Sequence, residues 1–130
     1  MTKGKRMVTG IIVALFLLLS TGMTVWAART TTSFNYAGKT VQCVLHVDWS
    51  NNSTAYSRTY VTGGSGFYPL RSYIFGYDRA GKIIKSNSFL SYDDVNSGTI
   101  DCNAVKFMSQ HEILNSNRVV LDYRRLTLEE

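Results

Sequence analysis

Two short histidine–acid groupings are the residues in this chain whose types and spacing could do acid–base chemistry. His46 and Asp48 stand two apart, and His111 is followed at once by Glu112. A histidine held by a carboxylate is half of an acid–base or nucleophilic site. The other half would have to come from the many serines and threonines, and none stands in a recognisable setting. The chain has no G-x-S-x-G elbow, H-E-x-x-H, phosphate-binding G-x-x-x-x-G-K or G-x-G-x-x-G. A small hydrolase using His46 or His111 is therefore an alternative, and the expected protein is not an enzyme.

Cys43 and Cys102 are the only cysteines. A metal site wants three or four ligands at fixed spacing, and no C-x-x-C or H-x-x-x-H accompanies this pair. No metal or other cofactor is expected. In an oxidising compartment two cysteines pair most simply as a disulfide, here closing a ring of about 60 residues. Chain-entropy arithmetic puts such a bridge at roughly 4 kcal/mol.

The stretch Asp93–Gly98, DDVNSG, clusters oxygen ligands that could hold a hard cation such as Ca²⁺. It resembles the Asp-Asp-x-x-Ser-Ser loop of βγ-crystallin calcium sites, with Gly98 in place of the final serine. A hydrated turn rich in Asx residues has the same composition.

A third kind of chemistry is recognition. Tyr56, Arg58 and Tyr60 alternate with Ala55, Ser57 and Thr59, and Tyr73, Phe75 and Tyr77 alternate with Ser72, Ile74 and Gly76. Tyrosine and arginine are enriched at binding hot spots, and a phenol ring offers both apolar area and a hydrogen-bonding tip, which suits sugars. Tyr56, Arg58, Tyr60, Tyr73 and Tyr77 are the candidate binding residues. The same pattern also suits core aromatics, with the small residues turned to a close neighbour.

The elements that must position these residues read as strands. Proline occurs once, at Pro69, and no segment shows a helical period. Thr40 to Trp49 alternates cleanly, with Val41, Cys43, Leu45, Val47 and Trp49 on one face. Ser50–Ser53 then turns into Thr54–Val61 as a hairpin. A second hairpin runs through Arg71–Asp78, the R-A-G-K turn and Lys82–Leu90. Further strands are expected between Thr99 and Leu114, over Arg118–Leu128, and briefly within Thr32–Gly38. In the last segment Val119, Leu121 and Tyr123 share a face until Arg125 breaks the phase, where a bulge is expected. Short strands at roughly 8–12-residue spacing predict an all-β fold, a small antiparallel β-sandwich or barrel of about six to eight strands with one disulfide. An immunoglobulin-like core is not expected, because Trp49 shares a strand with Cys43.

The N-terminus decides where this domain works. Lys3, Lys5 and Arg6 precede the uncharged block Ile11–Leu19, and Val25 and Ala27 hold small-x-small spacing before a cut. A spanning helix needs about 20 predominantly apolar residues, and Thr9, Gly10, Ser20, Thr21, Gly22 and Thr24 dilute this one. Residues 1–27 are thus expected to be a cleaved signal peptide and 28–130 a single exported β domain. An uncleaved anchor is the alternative, and the domain is secreted or extracytoplasmic in both cases.

Lys3, Lys5 and Arg6 leave with the leader, so eleven Lys/Arg face nine Asp/Glu and the net charge falls from +5 to +2. No basic stripe remains to hold nucleic acid, and no membrane span is expected after cleavage. The expected function is a small secreted or envelope-associated binding protein. Its partner is expected to be a protein or glycan of the cell envelope or extracellular space. A secreted antimicrobial or inhibitor-type effector is a further alternative.

Overall fold

In the computed structural model, the described residues are 11–12, 26–63 and 68–130. The expected leader lies almost wholly outside them, as does much of the T-G-G-S-G connection. Ten strands follow in order: β1 (Ile11–Ile12), β2 (Trp26–Tyr36), β3 (Lys39–Trp49), β4 (Ser53–Thr62) and β5 (Pro69–Tyr77). Then come β6 (Ile83–Tyr92), β7 (Asp94–Asn96), β8 (Ile100–Cys102), β9 (Lys106–Leu114) and β10 (Val120–Glu129). No helix occurs among the described residues. Sheet A runs β1-β2-β3-β4, with β7 and β8 pairing successive stretches of β4, and sheet B runs β10-β9-β5-β6. All pairings are antiparallel, and the two sheets face each other as a sandwich.

β3 is the strand the alternation predicted. Val41, Cys43, Leu45, Val47 and Trp49 are all sealed from solvent on its inner face. β4 resolves the ambiguity of its small residues. Ala55, Ser57 and Thr59 point inward and are buried, while Tyr56, Arg58 and Tyr60 are half-exposed on the outer face. Small inner side chains let sheet B come close, and its facing strand β5 is equally slim there, with Ser72, Ile74 and Gly76 buried. At Gly76 a Cβ would lie 2.7 Å from the sulfur of Cys102 and 3.2 Å from the Phe107 ring, so even alanine there forces Cys102 to move. Pro69 opens β5, where its missing N–H removes no interior ladder bond.

The core has two apolar ends. One gathers Leu45, Val47, Trp49, Ile74, Phe107 and Leu128, and the other Phe34, Val41, Cys43, Leu70, Val95 and Ile113. Polar side chains pair across the sandwich between them. Ser57 Oγ and Ser72 Oγ share a short hydrogen bond, and Ser57 Oγ donates to the Tyr73 carbonyl at 2.9 Å. His111 is sealed between Thr59 Oγ1, 2.8 Å from Nδ1, and Ser109 Oγ, 2.6 Å from Nε2.

Three expectations change. The strand expected briefly within Thr32–Gly38 is β2, eleven residues long and starting at Trp26, whose ring centroid is 5.5 Å from that of Trp49. The expected cut after Ala27 would therefore fall inside β2. In β10 the irregularity lies between Val120 and Asp122, well before Arg125. Val119, Leu121 and Tyr123 are consequently exposed, and Leu126 and Leu128 supply the inward face.

The third change is the disulfide, which is absent: Cys43 and Cys102 are free thiols. Register gives the reason. Cys43 lies opposite Thr59 and Cys102 opposite Ser53, so the two are six residues apart as measured along β4. At about 3.3 Å per residue that is roughly 20 Å, far beyond the 7 Å or so that a bridge can span between Cα atoms. The stabilisation expected from a cross-link does not apply to this fold.

Candidate functional site

The five residues picked out for binding split between opposite outer faces. Tyr56, Arg58 and Tyr60 lie on sheet A, and Tyr73 and Tyr77 on sheet B, so one ligand cannot touch all five at once.

On sheet A the arginine is already committed. Arg58 donates from Nε and Nη2 to the two carboxylate oxygens of Asp94, at 2.9 and 2.6 Å. Its guanidinium carbon also sits 4.1 Å over the Tyr60 ring. The fork holds the Asp94 carboxyl below its ordinary range and raises Arg58 further. Next to it, His46 Nε2 lies 3.2 Å from Asp48 Oδ1, and the imidazole stacks on Tyr56 with centroids 5.3 Å apart. The sequence pairing of His46 with Asp48 is therefore physical, on a half-exposed sheet face.

The second histidine–acid grouping is not a unit at all. His111 points into the core and Glu112 to the other side of β9. Burial drives the His111 pKa down to about 3, which keeps the ring neutral. Sealed at zero exposure, His111 cannot meet a substrate, and it lies on the opposite sheet from His46.

Sheet B carries the more continuous outer face. Along β5, Arg71, Tyr73, Phe75 and Tyr77 all point outward, half-exposed. The Tyr73 and Phe75 rings stack nearly parallel, at 13° with centroids 5.5 Å apart. Arg71 Nη1 donates to Tyr73 Oη at 2.7 Å, and the Lys106 ammonium sits 4.6 Å over the Tyr77 ring. Register lays Glu112, Gln110, Met108 and Lys106 beside these four residues, with Tyr123 and Arg125 beyond on β10. Arg125 Nε donates to Gln110 Oε1 at 2.7 Å, and its guanidinium lies 5.2 Å from the Tyr123 ring. Glu112 is only 4 % exposed although it faces outward; it accepts from Gln110 Nε2, and its Oε1 lies 3.6 Å from Arg71 Nε. The result is a ladder of rings with cations at both ends and a hydrogen-bonding amide and carboxylate behind.

Of these residues, the sequence singled out only Tyr73 and Tyr77. Phe75 reads on the same face though it is not named for binding, and Arg71 shares that alternation phase and could have been read with them. Gln110, Glu112 and Arg125 could not, because only cross-strand register brings them there.

The oxygen-rich loop turns its ligands toward the protein. Asp94 is held by Arg58, Asn96 Oδ1 accepts from the Gly98 N–H at 2.8 Å, and Ser97 Oγ accepts from the Ser57 N–H at 2.9 Å. Among the described residues no three His, Cys, Asp or Glu side chains converge as a metal site. A separate groove of about 450 Å³ lies at one end, lined by Asp78, Arg79, Asn103 and Glu130, and contains none of the candidate residues.

The thiols are chemically quiet. Burial raises the Cys43 thiol to about 12 and also raises that of half-buried Cys102. Thiol titration of the native protein should leave Cys43 unreacted, whereas two equivalents per chain should appear on unfolding. Two oxidised sulfurs would contradict the register given above. No protein-family model, curated protein or solved structure matches this chain.

Proposed function

We propose that this is an exported binding protein of the cell envelope or extracellular space, and that the outer face of sheet B grips an extended glycan. The observation that carries the reading is the ladder Arg71–Tyr73–Phe75–Tyr77. Four outward residues on one strand repeat at roughly 7 Å, twice the rise per residue. Aromatic surface can cover the apolar faces of sugar rings, while Arg71, Gln110 and Arg125 offer donors to hydroxyl or carboxylate oxygens. Arg71, Lys106 and Arg125 outnumber the carboxylates Glu112 and Glu129 on this face, which favours acidic sugars over basic ones. Sheet A presents a weaker case, because β4 offers two rings separated by an arginine where β5 offers an unbroken row of three.

The test begins with the protein recovered from outside the producing cell. Its intact mass should correspond to a chain starting at Ala28 or within a few residues of it. That material is then applied to an array of envelope and extracellular glycans. Tyr73→Ala should weaken binding by roughly tenfold or more, the size of a recognition hot spot, while Tyr56→Ala on the opposite face should leave it unchanged. Equal losses from both substitutions, or retention on a protein partner alone, would remove the glycan reading.

A further inference from the structure

Every strand edge in a sandwich exposes unpaired backbone donors and acceptors, and proteins ordinarily guard such edges with charge, proline or bulges. Both edges of sheet B carry one register irregularity, between Val120 and Asp122 on β10 and at Ile84 on β6, and they differ in charge. β10 carries Asp122, Arg124, Arg125 and Glu129, with a bulge near its start. β6 has the sequence IIKSNSFLSY, ten residues without proline and with a single charge. That charge, Lys85, is already neutralised by Asp101 at 2.9 Å. No strand pairs with the outer side of β6 among the described residues. Its large apolar side chains stand in solvent, Ile83 at 48 %, Phe89 at 57 % and Tyr92 at 54 % exposure.

We infer that β6 pairs with β6 of a second copy of this chain, antiparallel and about a two-fold axis at Asn87. A closed two-fold contact requires a surface complementary to itself, and the strand meets that condition. With Asn87 opposite its own copy, Ser86 faces Ser88 of the partner, Lys85 faces Phe89 and Ile84 faces Leu90. Polar residues thus meet polar ones at the centre. The strand's only cation meets an aromatic ring instead of another cation, and Ile84 meets Leu90, with Ile83 opposite Ser91 beyond them. Pairing in this register would merge the two four-stranded sheets into one of eight. The axis is perpendicular to the sheet, so both outer faces look the same way. The two β5 ladders would then lie three strand spacings apart, about 14 Å. The pairing itself does not rest on what those ladders bind.

The full exported chain is the material for the test. Sedimentation over a rising micromolar series should give twice the monomer mass. Asn87→Lys sets two ammonium groups opposite each other at the axis and should return the mass to that of a monomer. Its unchanged melting temperature would show that the fold is intact. Asn87→Cys, in a Cys102→Ser background, places two sulfurs where opposed Cα atoms are about 5 Å apart, within disulfide reach. Mild oxidation should link it into a covalent dimer, whereas Ser91→Cys should stay unlinked. A monomeric wild-type chain throughout the series, a dimer that survives Asn87→Lys, or cross-linking at residue 91 in place of 87 would each overturn the pairing.

Discussion

Lowering the pH from 7.5 to 4.5 should weaken the fold by roughly 2–3 kcal/mol, and His111 is the reason. Its ring lies sealed between two hydroxyls, and burial moves its pKa from the ordinary 6.5 to about 3. Above pH 6.5 both the folded and the unfolded chain hold the ring neutral, and it contributes no pH dependence. Below that value the unfolded chain takes up a proton that the folded chain refuses, so stability falls with falling pH. The loss ends near pH 3, where it totals roughly 5 kcal/mol. Neutral imidazole suits this place because one ring nitrogen donates to a hydroxyl while the other accepts from one. Denaturant midpoints at pH 7.5 and 4.5 measure the effect, and the His111→Gln variant separates it from the carboxylates that begin to titrate at the lower pH. His111→Gln should be less stable at neutral pH yet lose most of the acid dependence. His46→Gln, on the open face of sheet A, should keep it. An unchanged acid dependence in His111→Gln would transfer the effect to other groups.

How much of this was legible before the structure depends on whether the signal was local. Alternation is local, so β3 and its inner face from Val41 to Trp49 could be read directly, as could both hairpins. Phase is local as well, which is why Tyr56, Arg58 and Tyr60 were correctly grouped on one face. Which face was inward could not be read, because both rows of β4 suit a core: large rings on one side, and small residues that need a close neighbour on the other. The answer came from β5, whose Ser72 and Gly76 are small at the same level.

Register is not local, and the missed bridge and most of the sheet B face trace to it, whereas the His111–Glu112 miss is one of local alternation. Cys43 and Cys102 seemed to ask for a bridge, but pairing along β4 holds them roughly 20 Å apart. His111 and Glu112 seemed to be a dyad, yet neighbouring strand residues point to opposite faces. The outer face of sheet B was half visible in the phase of β5 and otherwise hidden, since Gln110, Glu112 and Arg125 arrive from β9 and β10.

Removing the ring of Trp49 should cost about 3–5 kcal/mol, whereas removing that of Tyr60 should cost about 1 kcal/mol. The two deletions are chemically alike and differ in which side of sheet A they empty. Trp49 has no exposure and packs between Trp26 and Phe107, each with a ring centroid 5.5 Å from its own. Truncation leaves a cavity that rigid strands on both sides cannot close. Tyr60 stands half-exposed under the Arg58 guanidinium, so its truncation loses little more than a cation–π contact and leaves the Arg58–Asp94 fork in place. For a domain of this size the difference amounts to roughly 15 °C in melting temperature, easily read from thermal melts. The comparison also bears on maturation. A chain starting at Ala28 lacks Trp26, so one face of the Trp49 ring loses its neighbour before any substitution is made. Trp49→Ala should then cost less than in a chain that retains Trp26. Equal costs in the two chains would mean that Trp26 adds nothing to the core, and that a cut inside β2 is free of consequence for the fold.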